Sequence, residues 1–145
     1  MIREYEFRGK YKYADEWVFG NLIEDNHPNM AKVFIHCNSI EDIWRTYSVE
    51  VKPETVGQLW ATINNKNGVK IFEGDIISFG SSLVCVIIYN EVNKCFSSIE
   101  KSEYNRLQFC DELSRLNILA NLGYAKVEFI SALLGNIFDN PDLLK

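Results

Sequence analysis

Asn64-Asn65-Lys66-Asn67-Gly68-Val69-Lys70-Ile71-Phe72-Glu73-Gly74-Asp75-Ile76-Ile77 decides the fold class. Asn and Gly tolerate positive φ, so the Asn-rich run ending in Gly68 predicts a tight reversal of the chain. Two short extended pieces follow, Val69 to Phe72 and Ile76 onward, separated by a bend at Glu73-Gly74-Asp75. Reversals this close together are a property of antiparallel β-structure, which hairpins can connect in a few residues.

Outward from that stretch the same reading holds. Tyr5 and Phe7 alternate with Glu4, Glu6 and Arg8, and Trp17 to Ile23 reads as the returning strand, so residues 3–23 form an antiparallel hairpin with a long polar loop. Gly20, inside the return strand, marks a bulge or a close backbone approach. Residues 32–37 and 44–51 are further strands, and Pro53, which has no ladder donor, marks an edge or connection. Extended character resumes at residues 55–59. Residues 83–89 have the β-branched content of a central strand covered on both faces, and residues 95–99 pair with it across a loop at 90–94. From Ser102 the period lengthens: Phe109, Leu113, Leu116 and Ala120 recur at helical spacing and predict the apolar face of one helix near residues 111–122. Asp111 is its expected start cap and Gly123 its expected end. Residues 127–138 return to strand character, and Asn140-Pro141-Asp142 opens a terminal turn. The expected architecture is mainly β, a compact antiparallel sheet or partly open small barrel. It forms a single domain over residues 1–145, with residues 1–52 and 53–145 as its two lobes if it divides.

Composition restricts the function. A chain of 145 residues typically buries about 70% of its unfolded surface, enough for a core without staples. Its net charge of −5 argues against bulk attraction to nucleic acid or anionic membrane. The start, Met1-Ile2-Arg3-Glu4, lacks the apolar run of a signal peptide, and no segment approaches the ~20 apolar residues of a membrane span, so the expected location is the cytoplasm. Cys37, Cys85, Cys95 and Cys110 form no C-x-x-C pair and read as core thiols.

Each chemical motif meets a simpler explanation. A calcium loop ending its turn at Gly68 would place Ile63 first and Gly74 twelfth, neither of them a ligand. His36 and Cys37 are adjacent, so on a strand they point to opposite faces, and Cys85 with Cys95 reads as packing. His27 and His36 lie in no nucleophile–base motif. Glu73 and Asp75 offer a carboxylate pair, yet turn chemistry accounts for them: Gly74 supplies backbone freedom and Asp75 bonds nearby amides. Trp17, Trp44 and Trp60 with Tyr11 and Tyr13 would suit base stacking, although aromatics at alternating strand positions more often build core. No catalytic, cofactor or metal residue is assigned.

Four segments together resemble the YopX family of phage and prophage proteins. They are Phe7-Arg8-Gly9 with Trp17-Val18-Phe19-Gly20; Pro53-Glu54-Thr55-Val56-Gly57-Gln58; Asn65-Lys66-Asn67-Gly68 leading to Ile71-Phe72-Glu73-Gly74-Asp75-Ile76; and Gly135-Asn136-Ile137-Phe138-Asp139-Asn140-Pro141-Asp142-Leu143-Leu144. The resemblance implies a mainly β fold and a mobile-element origin in a bacterial host, and it implies no catalytic residue. The stretch at residues 102–123 is longer and more helical than the family pattern. The leading functional expectation is a non-enzymatic accessory protein that binds a macromolecule, a protein before any other. The alternative is a small β-barrel binder of single-stranded nucleic acid using Arg3, Arg8, Lys10, Tyr11, Lys12 and Tyr13. A carboxylate-bound metal enzyme is a weaker third, and self-association is left open.

Overall fold

The structure is a computed structural model that describes residues 6–26, 28, 32–37, 47–63, 68–80 and 82–145. The expected turn at residues 64–67, and Arg3, His27 and Trp44, lie outside the described residues. The chain resolves into two compact units, Met1–Leu59 and Trp60–Lys145. The division falls inside a strand, at Leu59/Trp60, whereas the sequence reading placed a lobe boundary at Pro53.

In the first unit, β1 (Phe7–Lys10), β2 (Trp17–Asp25), β3 (Lys32–Cys37), β4 (Tyr47–Val51) and the start of β5 (Gly57–Ile63) lie in the order β4-β3-β2-β1-β5. Each neighbouring pair is antiparallel. β1 divides its outer edge between two partners. Phe7 and Arg8 pair with Gln58 and Gly57 of β5, and beyond β1 Tyr11 bridges Val51 of β4. Lys12 N–H donates to Glu50 O (3.0 Å) and Lys52 N–H to Lys10 O (2.8 Å). The changeover would strand the Lys10 amide, since a buried N–H needs a partner. Thr55, in the 3₁₀ turn Pro53–Thr55, supplies one: its hydroxyl accepts from Lys10 N–H at 2.8 Å and donates to Lys52 O at 2.7 Å. The sheet therefore curls as a partly open barrel does and stays unclosed.

Two glycines permit that curl. A Cβ on Gly9 would lie 2.9 Å from Val51 Cγ2, and one on Gly20 would lie 2.0 Å from the His36 carbonyl oxygen. Gly20 is thus the close approach of β2 to β3 that its place in the strand suggested.

The second unit contains the rest of β5, then β6 (Val69–Phe72), β7 (Asp75–Phe79), β8 (Leu83–Asn90), β9 (Cys95–Glu100) and β10 (Ile130–Asn136). Four of these form an antiparallel sheet in the order β10-β7-β8-β9. β8 is interior and buried at consecutive positions Cys85, Val86 and Ile87. Successive side chains point to opposite faces, so such a run requires cover on both. On one face Cys85 and Ile87 join Ile71 and Ile77, with Trp60, Ile63 and Val69 packed around them. On the other, Val86 joins Ile76, Ile99 and Leu144, with Tyr104, Leu107, Ile118 and Leu122. Each fully buried isoleucine contributes about 1.5–3 kcal/mol relative to exposure.

The sequence predicted one helix near 111–122, and the structure has two, α1 (Lys101–Phe109) and α2 (Glu112–Asn121). Cys110 and Asp111 are extended between them, and Asp111 caps α2 as expected by accepting from Ser114 N–H at 2.7 Å. The end cap differs. Gly123 does not adopt the left-handed conformation of a glycine cap. The terminal carbonyls are instead taken by two asparagines, one at the end of β8 and one in the turn after it: Asn90 Nδ2 donates to Leu119 O (2.7 Å) and Asn93 Nδ2 to Leu122 O (2.8 Å).

Gly20→Ala is expected to lower stability by at least about 2 kcal/mol, because the intruding Cβ meets backbone that cannot rotate aside. Urea unfolding of the two proteins measures the difference.

Candidate interaction surfaces

Of the residues expected to form a binding surface, the five that the structure describes, Arg8, Lys10, Tyr11, Lys12 and Tyr13, sit on the β1–β2 hairpin, and their cations are engaged within the chain. Arg8 is 7% exposed and Lys10 8%. Both lie against Trp17, at 4.5 Å and 5.4 Å from the ring centre. Lys10 Nζ also pairs with Asp15. Lys12 Nζ donates to Glu50 Oε1 at 2.8 Å and stands 5.5 Å from the Tyr13 ring. Its hydrogen bond holds the Glu50 carboxyl below the usual carboxylate range, and Glu50 in turn raises Lys12. Tyr11 and Tyr13 meet edge to face at 5.7 Å. With Trp17, Phe19 and Phe34 they line a groove of about 730 Å³ whose charged members are Glu16 and Glu50. The groove is aromatic, and both of its charged lining residues are acidic.

The conspicuous sequence motifs are structural. Between β6 and β7, Gly74 has a φ of +90°. Its N–H donates to Ile87 O (2.7 Å) and its carbonyl accepts from Ile137 N–H (2.9 Å). Asp75, 2% exposed, accepts from Phe72 N–H through Oδ2 at 2.8 Å. This is the turn role expected for Gly74 and Asp75. At the C-terminal end Asn136 Oδ1 accepts from Phe138 and Asp139 N–H (3.0 and 2.9 Å), and Asn140 Oδ1 accepts from Asn136 N–H (3.2 Å). A Cβ on Gly135 would lie 2.3 Å from that Asn140 oxygen.

A family model described as YopX protein matches residues 6–145. The chain belongs to the YopX family. Comparison with curated proteins and with solved structures finds no match.

In this YopX chain, no group of three or more His, Cys, Asp or Glu side chains converges among the described residues, and no described helix is long and apolar enough to cross a membrane. Cys85 and Cys95 do not face each other: Cys85 lies opposite Glu100 and Cys95 opposite Asn90. A second groove, of about 640 Å³, has Cys85, Glu100, Glu103 and Arg106 among its lining residues. Burial, with Glu100 adding to it, pushes the Cys85 thiol up.

What sequence reasoning missed is on α2. The predicted core face is the solvent face: Phe109 at the end of α1 is 91% exposed, Leu113 is 72% exposed, and Leu116 and Ala120 are exposed too. Ile118 and Leu122 pack against the sheet's core instead, and Leu119 is buried. Leu113, Leu116, Ile118, Leu119 and Leu122 spread apolar groups around most of the helix, and that surplus was the available signal.

Asp75→Ala is expected to cost about 1–3 kcal/mol through the lost bond to the buried Phe72 amide, read as a lower urea midpoint. Cys85 is expected to resist iodoacetamide at pH 8 in the folded protein and to react once urea unfolds it, because the thiolate is the nucleophile. Peptide mass spectrometry distinguishes the two states.

Proposed function

We propose that this YopX chain is a non-enzymatic accessory protein of a phage or prophage, acting in the bacterial cytoplasm by binding another protein. The observation that carries the reading is the outward apolar row of α2, Leu113, Leu116 and Ala120, with Phe109 beside the helix start in sequence. Scattered exposed apolar residues are ordinary, whereas a row at helical spacing is the pattern by which an amphipathic helix docks in a partner's groove. The charges near it, Glu112 and Arg115, are of both signs, and Arg115 is paired with Glu91 at 3.1 Å. A nucleic-acid partner has less support, since Arg8 and Lys10 are buried against Trp17 and Lys12 is held by Glu50.

The test is affinity purification of the tagged protein from prophage-carrying cells, run beside a Leu113→Lys/Leu116→Lys variant whose thermal melt matches the wild type. The expected result is a protein retained by the wild type and reduced at least tenfold with the variant. Retention of nucleic acid in a salt-sensitive manner, or equal recovery of every protein by both forms, would sink the reading.

A further inference from the structure

The four-stranded sheet has two edges, and the chain treats them differently. Along β9 the segment after α2 returns, and Ala125 N–H donates to Phe96 O at 2.8 Å. Along β10 no described residue does this. Among the described residues its only strand partner is β7, and Ser131, Ala132, Leu133 and Leu134 are all exposed. An edge of unpaired amides and carbonyls is a template for another strand, and proteins commonly guard one with lysine or proline. Residues 129–138 contain neither, and no charge of any kind. The guard present is a pair of register shifts against β7, between Ile130 and Ala132 and between Leu133 and Gly135, which shortens the regular run without capping it.

We infer that β10 pairs with β10 of a second copy of this chain, antiparallel about a two-fold axis. The occupant follows from charge. In such a pairing each residue at the axis faces its own equivalent, so any charged side chain there would oppose its like. β10 is free of that conflict, with Glu128 and Asp139 kept to the ends of the uncharged stretch. Leu133 and Leu134 supply the apolar surface such a contact would cover. The irregular register limits the contact to a few residues, so the dimer is weak and closed and does not propagate as a fibre. This assignment is independent of the α2 surface.

Sedimentation equilibrium between about 1 and about 500 µM spans the range in which a contact of this size dissociates. The wild type is expected to pass from monomer to dimer. Ala132→Lys and Leu134→Lys, checked for wild-type melts, are expected to raise the dissociation constant at least tenfold. Amide exchange in β10 is expected to slow as wild-type concentration rises, a readout that needs no variant to fold. A protein monomeric throughout, including one whose edge receives a different protein, overturns the inference. So does a dimer that both lysine variants leave intact, or one in which β10 exchange is unchanged.

Discussion

The second unit depends on a turn of two residues. Glu73-Gly74 reverses the chain between β6 and β7, and the backbone of Gly74 bonds outward in both directions, to Ile87 of β8 and to Ile137 just past β10. One residue thereby ties together strands that are distant in sequence. Its φ of +90° is the reason glycine stands there. Asp75 completes the arrangement. A buried carboxylate is costly unless it is hydrogen-bonded, and the Phe72 amide bonded to Oδ2 fixes the turn from the side-chain direction. The Asp75 carboxyl is therefore engaged in holding the turn.

The first unit solves a different problem. β1 has one neighbour on its inner side and two in succession on its outer side, so its ladder is interrupted at Lys10. The 3₁₀ turn after Pro53 delivers the Thr55 hydroxyl to that gap. Proline at the start of the turn costs no hydrogen bond, and the next strand begins at Gly57. The segment Pro53-Glu54-Thr55-Val56-Gly57-Gln58 is thus a corner piece with a hydrogen-bond plug. Like the Gly74 and Asn136 turns, it carries family resemblance through backbone geometry.

Surface chemistry is organised by the same packing. Around Trp17 the hairpin's cations are absorbed by rings and carboxylates of the chain itself, Glu50 among them, 38 residues from Lys12 in sequence. Exposed apolar groups occur on that hairpin too, at Tyr13 and Phe19, and also on α2, at Leu113 and Leu116, and on β10, at Leu133 and Leu134.

Sequence by itself determined most of the strands, the reversal at Glu73-Gly74 and the identity of its turn residues, because alternation and the φ preferences of Gly act over a few residues. It also determined that Asp111 starts a helix and that Gly20 lies where backbones touch. Only the tertiary structure decided which side of α2 meets the sheet, since a helix apolar on most sides has no unique inward face until a partner surface selects one. It decided too that Asn90 and Asn93, not Gly123, close that helix, and that Arg8 and Lys10 are buried. Each of those outcomes turns on residues far apart in the chain, and no local pattern encodes the free energy of bringing them together.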